Sequence, residues 1–93
     1  IQEAVNNHVQ VAQAIKLADE TAVTLTGTLV KQIDAEKFEL KDATGTILLE
    51  IDDDISRATP IKEGAKVKVV GEADTHRYKP TDIEVKKQKK IAP

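Results

Sequence analysis

The sequence predicts a mainly β fold: a small closed barrel of five strands preceded by one α-helix. Its 93 residues supply material for a single core. From residue 22 onward, apolar residues recur with a period of two in five short segments that are separated by turn residues. Before these segments, apolar residues recur with the period of an α-helix. We therefore divide the chain into a flexible lead-in, 1–8, and one domain, 9–93, with a helix at about 9–18 and a barrel at about 22–91.

The helix VQVAQAIKLA is predicted from one apolar face. Positions i, i+3, i+4 and i+7 of this face are Val11, Ala14, Ile15 and Ala18. Asn7, just upstream, is the predicted N-cap. The stripe is narrow and rich in alanine, so this helix needs a sheet to pack against.

The first strand, AVTLTGTLVKQI, is predicted to bend. Val23, Leu25 and Gly27 alternate with a set of threonines, which are Thr24, Thr26 and Thr28. The apolar phase shifts where Leu29 and Val30 are adjacent. A glycine followed by a phase shift indicates a β-bulge or a sharp bend.

The other four strands follow in two pairs. KFELK, 37–41, and TILLEI, 46–51, flank DATG, 42–45, which fits a type I turn closed by a glycine at positive φ. AKVKVVGEAD, 65–74, and TDIEVKKQKKI, 81–91, form the second pair. Residues 52–65 are predicted to be irregular, because Pro60 and Gly64 prevent a long helix.

This order of elements favours an OB-fold barrel, with an SH3-like barrel as the alternative. The lack of a predicted helix between strands three and four argues against a standard OB-fold. The N-terminal helix is then the candidate plug for one end of the barrel.

Composition excludes several functions. Fourteen basic and 16 acidic residues give a net charge of −2, which argues against a general nucleic-acid binder. The chain has no cysteine, so it can form neither disulfides nor thiolate metal sites. No apolar run is long enough to span a membrane. Ser56, the only serine, has no histidine near it in the sequence, and we predict neither a catalytic set nor a cofactor.

Several segments together resemble the bacterial OB-fold (BOF) family, of the YgiW/YdeI type. They are LADETAVTL, VTLTGTLVKQI, KFELKDATGTILLEID, VKVVGEAD and DIEVKK, and the resemblance runs from about Val11 to Ile91. It implies a non-enzymatic periplasmic protein, with a signal peptide removed before Ile1, that supports envelope stress tolerance. It also implies a small or cationic envelope-associated ligand. Where relatives carry tryptophan, this chain has Ala22, Ile55 or Ser56, and Tyr78.

The first candidate site is an acidic patch that would attract a cationic ligand. It comprises Glu50, Asp52, Asp53 and Asp54. Adjacent aspartates on a strand point alternately to opposite sides and do not match an EF-hand loop, so we predict no metal site there. Our favoured interpretation of the three aspartates is the solvated end of a strand.

The second candidate site is the loop that holds His76, Arg77, Tyr78 and Lys79, which could contact an anion or a sugar. We favour a charged hairpin loop whose tyrosine packs over the end of the barrel. His8 and His76 show no zinc-binding spacing.

The alternative function is a nucleic-acid-binding OB module that uses residues 75–79 and a lysine tail. The tail is Lys86, Lys87, Lys89 and Lys90, which we prefer to interpret as protection of an edge strand. The face of strands two and three has no outward aromatic side chain, and this argues against binding of single-stranded nucleic acid.

Overall fold

Five strands close into a barrel in the order β1-β2-β3-β5-β4. The structure, a computed structural model, describes residues 6–92 and their side chains as far as Ile91. Its elements are α1 (Val11–Ala14), β1 (Ala22–Gln32), β2 (Lys37–Asp42), β3 (Gly45–Glu50), α2 (Asp53–Ala58), β4 (Lys66–Asp74) and β5 (Asp82–Ala92). β3 and β5 pair in parallel and the other neighbours are antiparallel. The predicted closed barrel of five strands is confirmed.

β1 bends where the sequence predicts. It pairs with β4 along its first half and with β2 along its second, and the register with β2 shifts between Leu29 and Lys31. A Cβ atom at Gly27 would lie 2.5 Å from the carbonyl oxygen of Lys41, so only glycine allows the strands to approach this closely. The bulge and the glycine together let one strand join both sides of the barrel.

The N-terminal helix is shorter than predicted. It covers Val11–Ala14 rather than 9–18, and its N-cap is Gln10, not Asn7. Asn7 instead bonds to β1: its backbone oxygen accepts from the Thr24 amide, and its side chain donates to the Ala22 carbonyl. The described part of the predicted lead-in is therefore tied to the barrel, and residues 1–5 lie outside the described residues.

The turn between β2 and β3 anchors α1. The Asp42 carboxylate accepts from the Val11 amide at 2.9 Å and from the amide and hydroxyl of Thr44 at 2.7 and 2.6 Å. The Thr44 hydroxyl in turn accepts from the Ala12 amide. These bonds satisfy amides of the first helical turn, which have no partner within the helix. Gly45 closes the turn at φ 155°, so the predicted positive φ is confirmed.

A short helix connects β3 to β4, where we predicted an irregular segment. α2 starts directly after Asp52, its N-cap residue, and Asp53 and Asp54 lie in its first turn. Carboxylates there interact favourably with the helix dipole, which explains why the acidic run begins a helix rather than extending β3. Thr59 and Pro60 end it after six residues. The argument against a standard OB-fold is thereby removed.

The two described helices lie at opposite ends of the barrel. Val11 and Ala14 of α1 join the buried core at the end where β1 begins, as the plug hypothesis requires. Ile55 of α2 packs against the same core from the other end. Within residues 6–92, no helix has the length and apolar character needed to cross a membrane.

Candidate cation site

A groove of about 460 Å³ lies on the outer face of β2 and β3, beneath the loop that joins β4 to β5. Alternation places Phe38, Leu40, Ile47 and Leu49 in the core and turns their neighbours outward. The groove is lined on one side by Lys37, Glu39 and Leu48, and on the other by His76 and Asp82. This is the face on which OB-folds bind ligands.

At one end of the groove, three ionisable side chains converge. Asp74 ends β4, His76 follows it in the loop, and Asp82 begins β5. One potential ligand atom from each lies within 4.8 Å of the other two. The His76 Nε2 atom is 3.2 Å from Asp82 Oδ2 and 3.6 Å from Asp74 Oδ2. We call these three residues the cation cluster.

Asp82 is the most unusual member of the cation cluster. Its residue surface is only 8% exposed, and its second oxygen, Oδ1, is buried without a hydrogen-bond partner. A buried carboxylate oxygen normally has a partner, because leaving it unpaired costs free energy. Burial raises the pKa of Asp82 and nearby Asp74 raises it further, while the hydrogen bond from His76 opposes the shift.

A row of carboxylates adjoins the cation cluster. Glu50 of β3 is directly opposite Glu84 of β5, which is directly opposite Glu72 of β4. Like charges in this arrangement repel one another. Burial raises the pKa of Glu50, and Asp82, Glu84 and Asp74 raise it further. Lys86, which donates to Glu84 Oε1 at 2.8 Å, neutralises part of this charge.

The junction between α1 and β1 holds the loop of the cation cluster in place. Asp19 Oδ1 accepts from the Thr75 amide at 2.9 Å, and Glu20 and Thr21 exchange backbone bonds with Ala73. Glu20 adopts φ 66°, a conformation that is uncommon for residues other than glycine. The LADET segment thus fixes the end of β4 from which Asp74 and His76 project.

The fold brings together only some of the predicted site residues. Glu50, His76 and Lys79 line the same groove. Asp53 and Asp54 are exposed on α2, where Asp53 pairs with Arg57 at 3.6 Å. The three consecutive aspartates therefore belong to the start of a helix, not to the end of a strand.

Tyr78 does not pack over the end of the barrel, so that prediction is wrong. Its surface is 89% exposed. The guanidinium of Arg77 lies 5.7 Å from the centroid of its ring, in a cation–π contact. Both side chains project from the loop into solvent beside the groove.

Sequence reasoning missed Asp74 and Asp82. They are eight residues apart, yet the register of β4 and β5 makes them direct partners. The signal in the sequence that could have identified them is the alternation of inward and outward residues along each strand. In VKVVGEAD and TDIEV the carboxylates occupy the outward positions, and the two segments flank one loop.

The family model for "Bacterial OB fold (BOF) protein" matches residues 1–90. The chain belongs to the bacterial OB-fold (BOF) family. The solved structure of ygiW from Escherichia coli superposes with a TM-score of 0.83 at 32% identity, covering 91% of this chain and 90% of that one. The resemblance inferred from the sequence motifs is thus confirmed for both family and fold.

BOF relatives are similar over most of this chain. The calcium-regulated OB-fold protein CarO of Pseudomonas aeruginosa is 42% identical over 64 residues, which cover 69% of this chain and 55% of CarO. Protein YgiW of Escherichia coli K12 is 34% identical over 83 residues, which cover 89% of this chain and 63% of YgiW. This chain thus corresponds to little more than half the length of these two relatives.

More distant solved structures are similar to this chain in fold alone. The telomere capping protein Ten1 of Saccharomyces pombe superposes with a TM-score of 0.68 at 13% identity. An asparaginyl-tRNA synthetase from Pyrococcus horikoshii gives 0.69 at 17% identity over 23% of its chain. At such identities the similarity demonstrates a common fold only.

Proposed function

We propose that this BOF protein is a non-enzymatic binding module whose ligand is a divalent cation held by Asp74, His76 and Asp82. One observation carries the proposal: Asp82 is buried with an unpartnered oxygen, beside a second carboxylate and an imidazole. A cation would compensate the charge that burial and the neighbouring carboxylates leave unfavourable.

The donor set indicates the class of cation. One imidazole nitrogen and two carboxylate oxygens suit Zn²⁺ or Mn²⁺. Ca²⁺ takes six to eight oxygen ligands, so it would also need the carboxylate row, beginning with Glu50. The name of the relative CarO, a calcium-regulated OB-fold protein, supports including Ca²⁺ among the cations tested.

Calorimetric titration of the metal-free protein with Zn²⁺, Mn²⁺ and Ca²⁺ tests the proposal. We expect one site, and we expect Asp82→Asn to weaken binding at least tenfold while Asp54→Asn leaves it unchanged. Asp54→Asn is the matched control, because it removes one exposed carboxylate from the acidic run. Equal affinities of both variants and the parent protein would refute the site.

An organic cation is the other class of ligand that the negative charge of the cation cluster could attract. The cluster favours an inorganic ion, because its three donor atoms converge within 4.8 Å of one another. NMR shift mapping with spermine separates the two: an inorganic site predicts that Zn²⁺ shifts Asp82 and His76 strongly and spermine does not. Saturable shifts of the cluster by spermine alone would reject the metal.

The non-enzymatic part of the proposal is supported by the surroundings of Ser56. Ser56 borders a cavity of about 200 Å³ near Gln88, but its hydroxyl oxygen is buried, and the cavity lining contains neither a histidine nor a carboxylate. A serine nucleophile needs an adjacent base.

A periplasmic location and a role in envelope stress tolerance complete the proposal. Fractionation of cells that express the native gene tests the location, and survival of a deletion strain in envelope-damaging agents tests the role.

The alternative of nucleic-acid binding gains no support from the geometry. The 75–79 loop precedes β5, whereas the lysines of the tail begin at the middle of β5, with Lys86, and continue to Lys90. Seven residues of strand, about 24 Å, separate Asp82 from Lys89. Glu84 and Asp82 lie between the loop and the tail, and their negative charge would repel a phosphate backbone passing from one to the other.

A further inference from the structure

The outer face of β4 and β5 carries opposite charges at its two ends. We call it the β4–β5 face. Along β4 its outward residues are Lys66, Lys68, Val70, Glu72 and Asp74. The order is two cations, one apolar residue and two anions. The pattern is therefore antisymmetric: residues at equal distances on either side of Val70 carry opposite charges.

β5 repeats the charges of β4 towards both ends of the face, but it carries a lysine, Lys87, level with the apolar centre. Lys89 is directly opposite Lys68, and Lys87 is opposite Val70. At the other end, Glu84 and Asp82 are opposite Glu72 and Asp74. Each end of the β4–β5 face therefore places like charges side by side on neighbouring strands, which is unfavourable within one molecule.

The charges of the basic end are not compensated within the described part of the chain. The four lysines of the face, at positions 66, 68, 87 and 89, form no ion pair with any residue between 6 and 91. The acidic end has Lys86 and His76 as its nearest partners. An opposite charge for each end must come mainly from outside the molecule.

We propose that the β4–β5 face binds a second copy of this chain, with a two-fold axis passing near Val70 and across the strands. This operation places Lys68 of one copy against Glu72 of the other, and Lys66 against Asp74. Val70, which is half-buried, then meets its own symmetry mate at the centre, and Lys87 beside it lies next to Lys87 of the other copy. An isologous contact requires such self-complementarity, and the antisymmetric pattern of β4 supplies it.

A second copy fits the β4–β5 face better than a polyanion does. A polyanion would satisfy the lysines but would be repelled by the acidic end and by the net charge of −2. A two-fold pair satisfies both ends at once. The proposal does not depend on the cation site.

The size of the β4–β5 face indicates a weak dimer. Nine residues of β4 extend about 30 Å, and two adjacent strands are about 10 Å wide, so each copy buries on the order of 300 Å². Interfaces this small belong to transient complexes. Exposed charge pairs are screened over a Debye length of about 10 Å at 0.1 M salt, so we expect the dimer to form at low ionic strength and high protein concentration.

Exchanging the charges of the two ends tests the proposal. One variant, Lys68→Glu with Lys89→Glu, reverses the charge of two lysines on the face, and a second, Glu72→Lys with Glu84→Lys, reverses the charge of two carboxylates at the acidic end. Each is measured alone and mixed by sedimentation velocity at 20–500 µM in EDTA, which keeps cations from the acidic end. We expect the parent protein to dimerise with a Kd that rises at least tenfold between 50 and 300 mM NaCl. Each variant alone should be monomeric, and the mixture should form a heterodimer.

The charge-matched control is Lys16→Glu with Lys62→Glu. Both lysines are exposed and lie outside the β4–β5 face, so this variant should dimerise like the parent protein. A parent protein that is monomeric at 500 µM in low salt would overturn the proposal. So would a mixture of the two face variants that fails to associate. Retention of a monomeric parent protein on heparin, lost in Lys68→Glu with Lys89→Glu, would assign the face to a polyanion instead.

Discussion

Two aspartates next to strand ends, Asp42 and Asp82, show how differently this fold treats a carboxylate. Asp42 ends β2 and accepts bonds from Val11 and Thr44 with both oxygens. Asp82 begins β5, is more deeply buried, and has one oxygen without a partner. The fold uses Asp42 to connect a turn to α1, whereas it holds Asp82 at a free-energy cost.

The pKa values of the two groups shift in opposite directions. Burial raises the pKa of Asp42, but hydrogen bonds from Thr44 and the amides of Val11 and Gly45 outweigh it, and the net shift is downward. Burial raises the pKa of Asp82, and the bond from His76 does not reverse it. Ionised Asp42 therefore stabilises the fold and ionised Asp82 destabilises it.

The largest effect should come from removing the satisfied carboxylate. We expect Asp42→Ala to lower the free energy of unfolding by about 2–3 kcal/mol, because it leaves amides of Val11 and Thr44 without an acceptor and removes the bond between the turn and the first residue of α1. Urea denaturation measures this loss. Cation affinity should be unchanged in the folded variant, and a loss below about 0.5 kcal/mol would contradict the structural role of Asp42.

The opposite change in stability is expected at Asp82, the carboxylate with an unpartnered oxygen. In EDTA, Asp82→Asn should raise the free energy of unfolding by about 1 kcal/mol, because a neutral amide replaces a buried charge that Asp74 and Glu50 repel. The same urea experiment, performed with and without Zn²⁺, measures it, and Zn²⁺ should stabilise the parent protein only. If the variant is less stable than the parent protein in EDTA, Asp82 is structural and the contrast with Asp42 is lost.

A smaller gain in stability is expected at the junction between α1 and β1, which anchors the loop of the cation cluster. Glu20→Gly should stabilise the protein by about 0.5–1 kcal/mol, because glycine adopts φ 66° without a steric penalty. Thermal unfolding with and without Zn²⁺ measures the effect, with Glu36→Gly, at an exposed loop position, as a control. Cation affinity that changes along with stability would show that Glu20 acts on the cluster itself.

The smallest effect is on the pH dependence of stability. Asp42 has a lowered pKa in the folded state, so its contribution is present above its ordinary value of 3.8 and is lost as the pH falls below it. Asp82 and Glu50 have raised pKa values, so stability in EDTA should decline as the pH rises from about 4 through their folded-state values. Urea titrations from pH 3 to 7 measure both slopes. Zn²⁺ should abolish the decline, and a decline that persists in Asp82→Asn with Glu50→Gln would place its origin elsewhere.

Local pattern was enough to predict the barrel. The five strands follow from alternation, and the bend in β1 follows from Gly27 and the adjacent Leu29 and Val30. α2 was missed because three aspartates after β3 were read as a strand end, although an aspartate followed by acidic residues is also a helix start. The length of α1 was overestimated because periodicity alone does not show that Val9 bonds to Thr24 of β1 or that residues 15–17 form a turn.

The cation cluster was less predictable for a physical reason. His76 was named from the loop, but Asp74 and Asp82 meet only through the register between β4 and β5. That register includes a shift between Val70 and Gly71, which sequence spacing does not show. The burial that distinguishes Asp82 from the exposed Asp53 and Asp54 is likewise a property of the closed barrel.

An anomalous difference map from crystals grown with Zn²⁺ tests the central claim most directly. We expect a peak among the three residues of the cation cluster, within about 2.2 Å of His76 Nε2 and of carboxylate oxygens of Asp74 and Asp82. Crystals of Asp82→Asn grown in the same way should lack it. A peak at Asp52–Asp54, or none in the parent protein, would contradict the account.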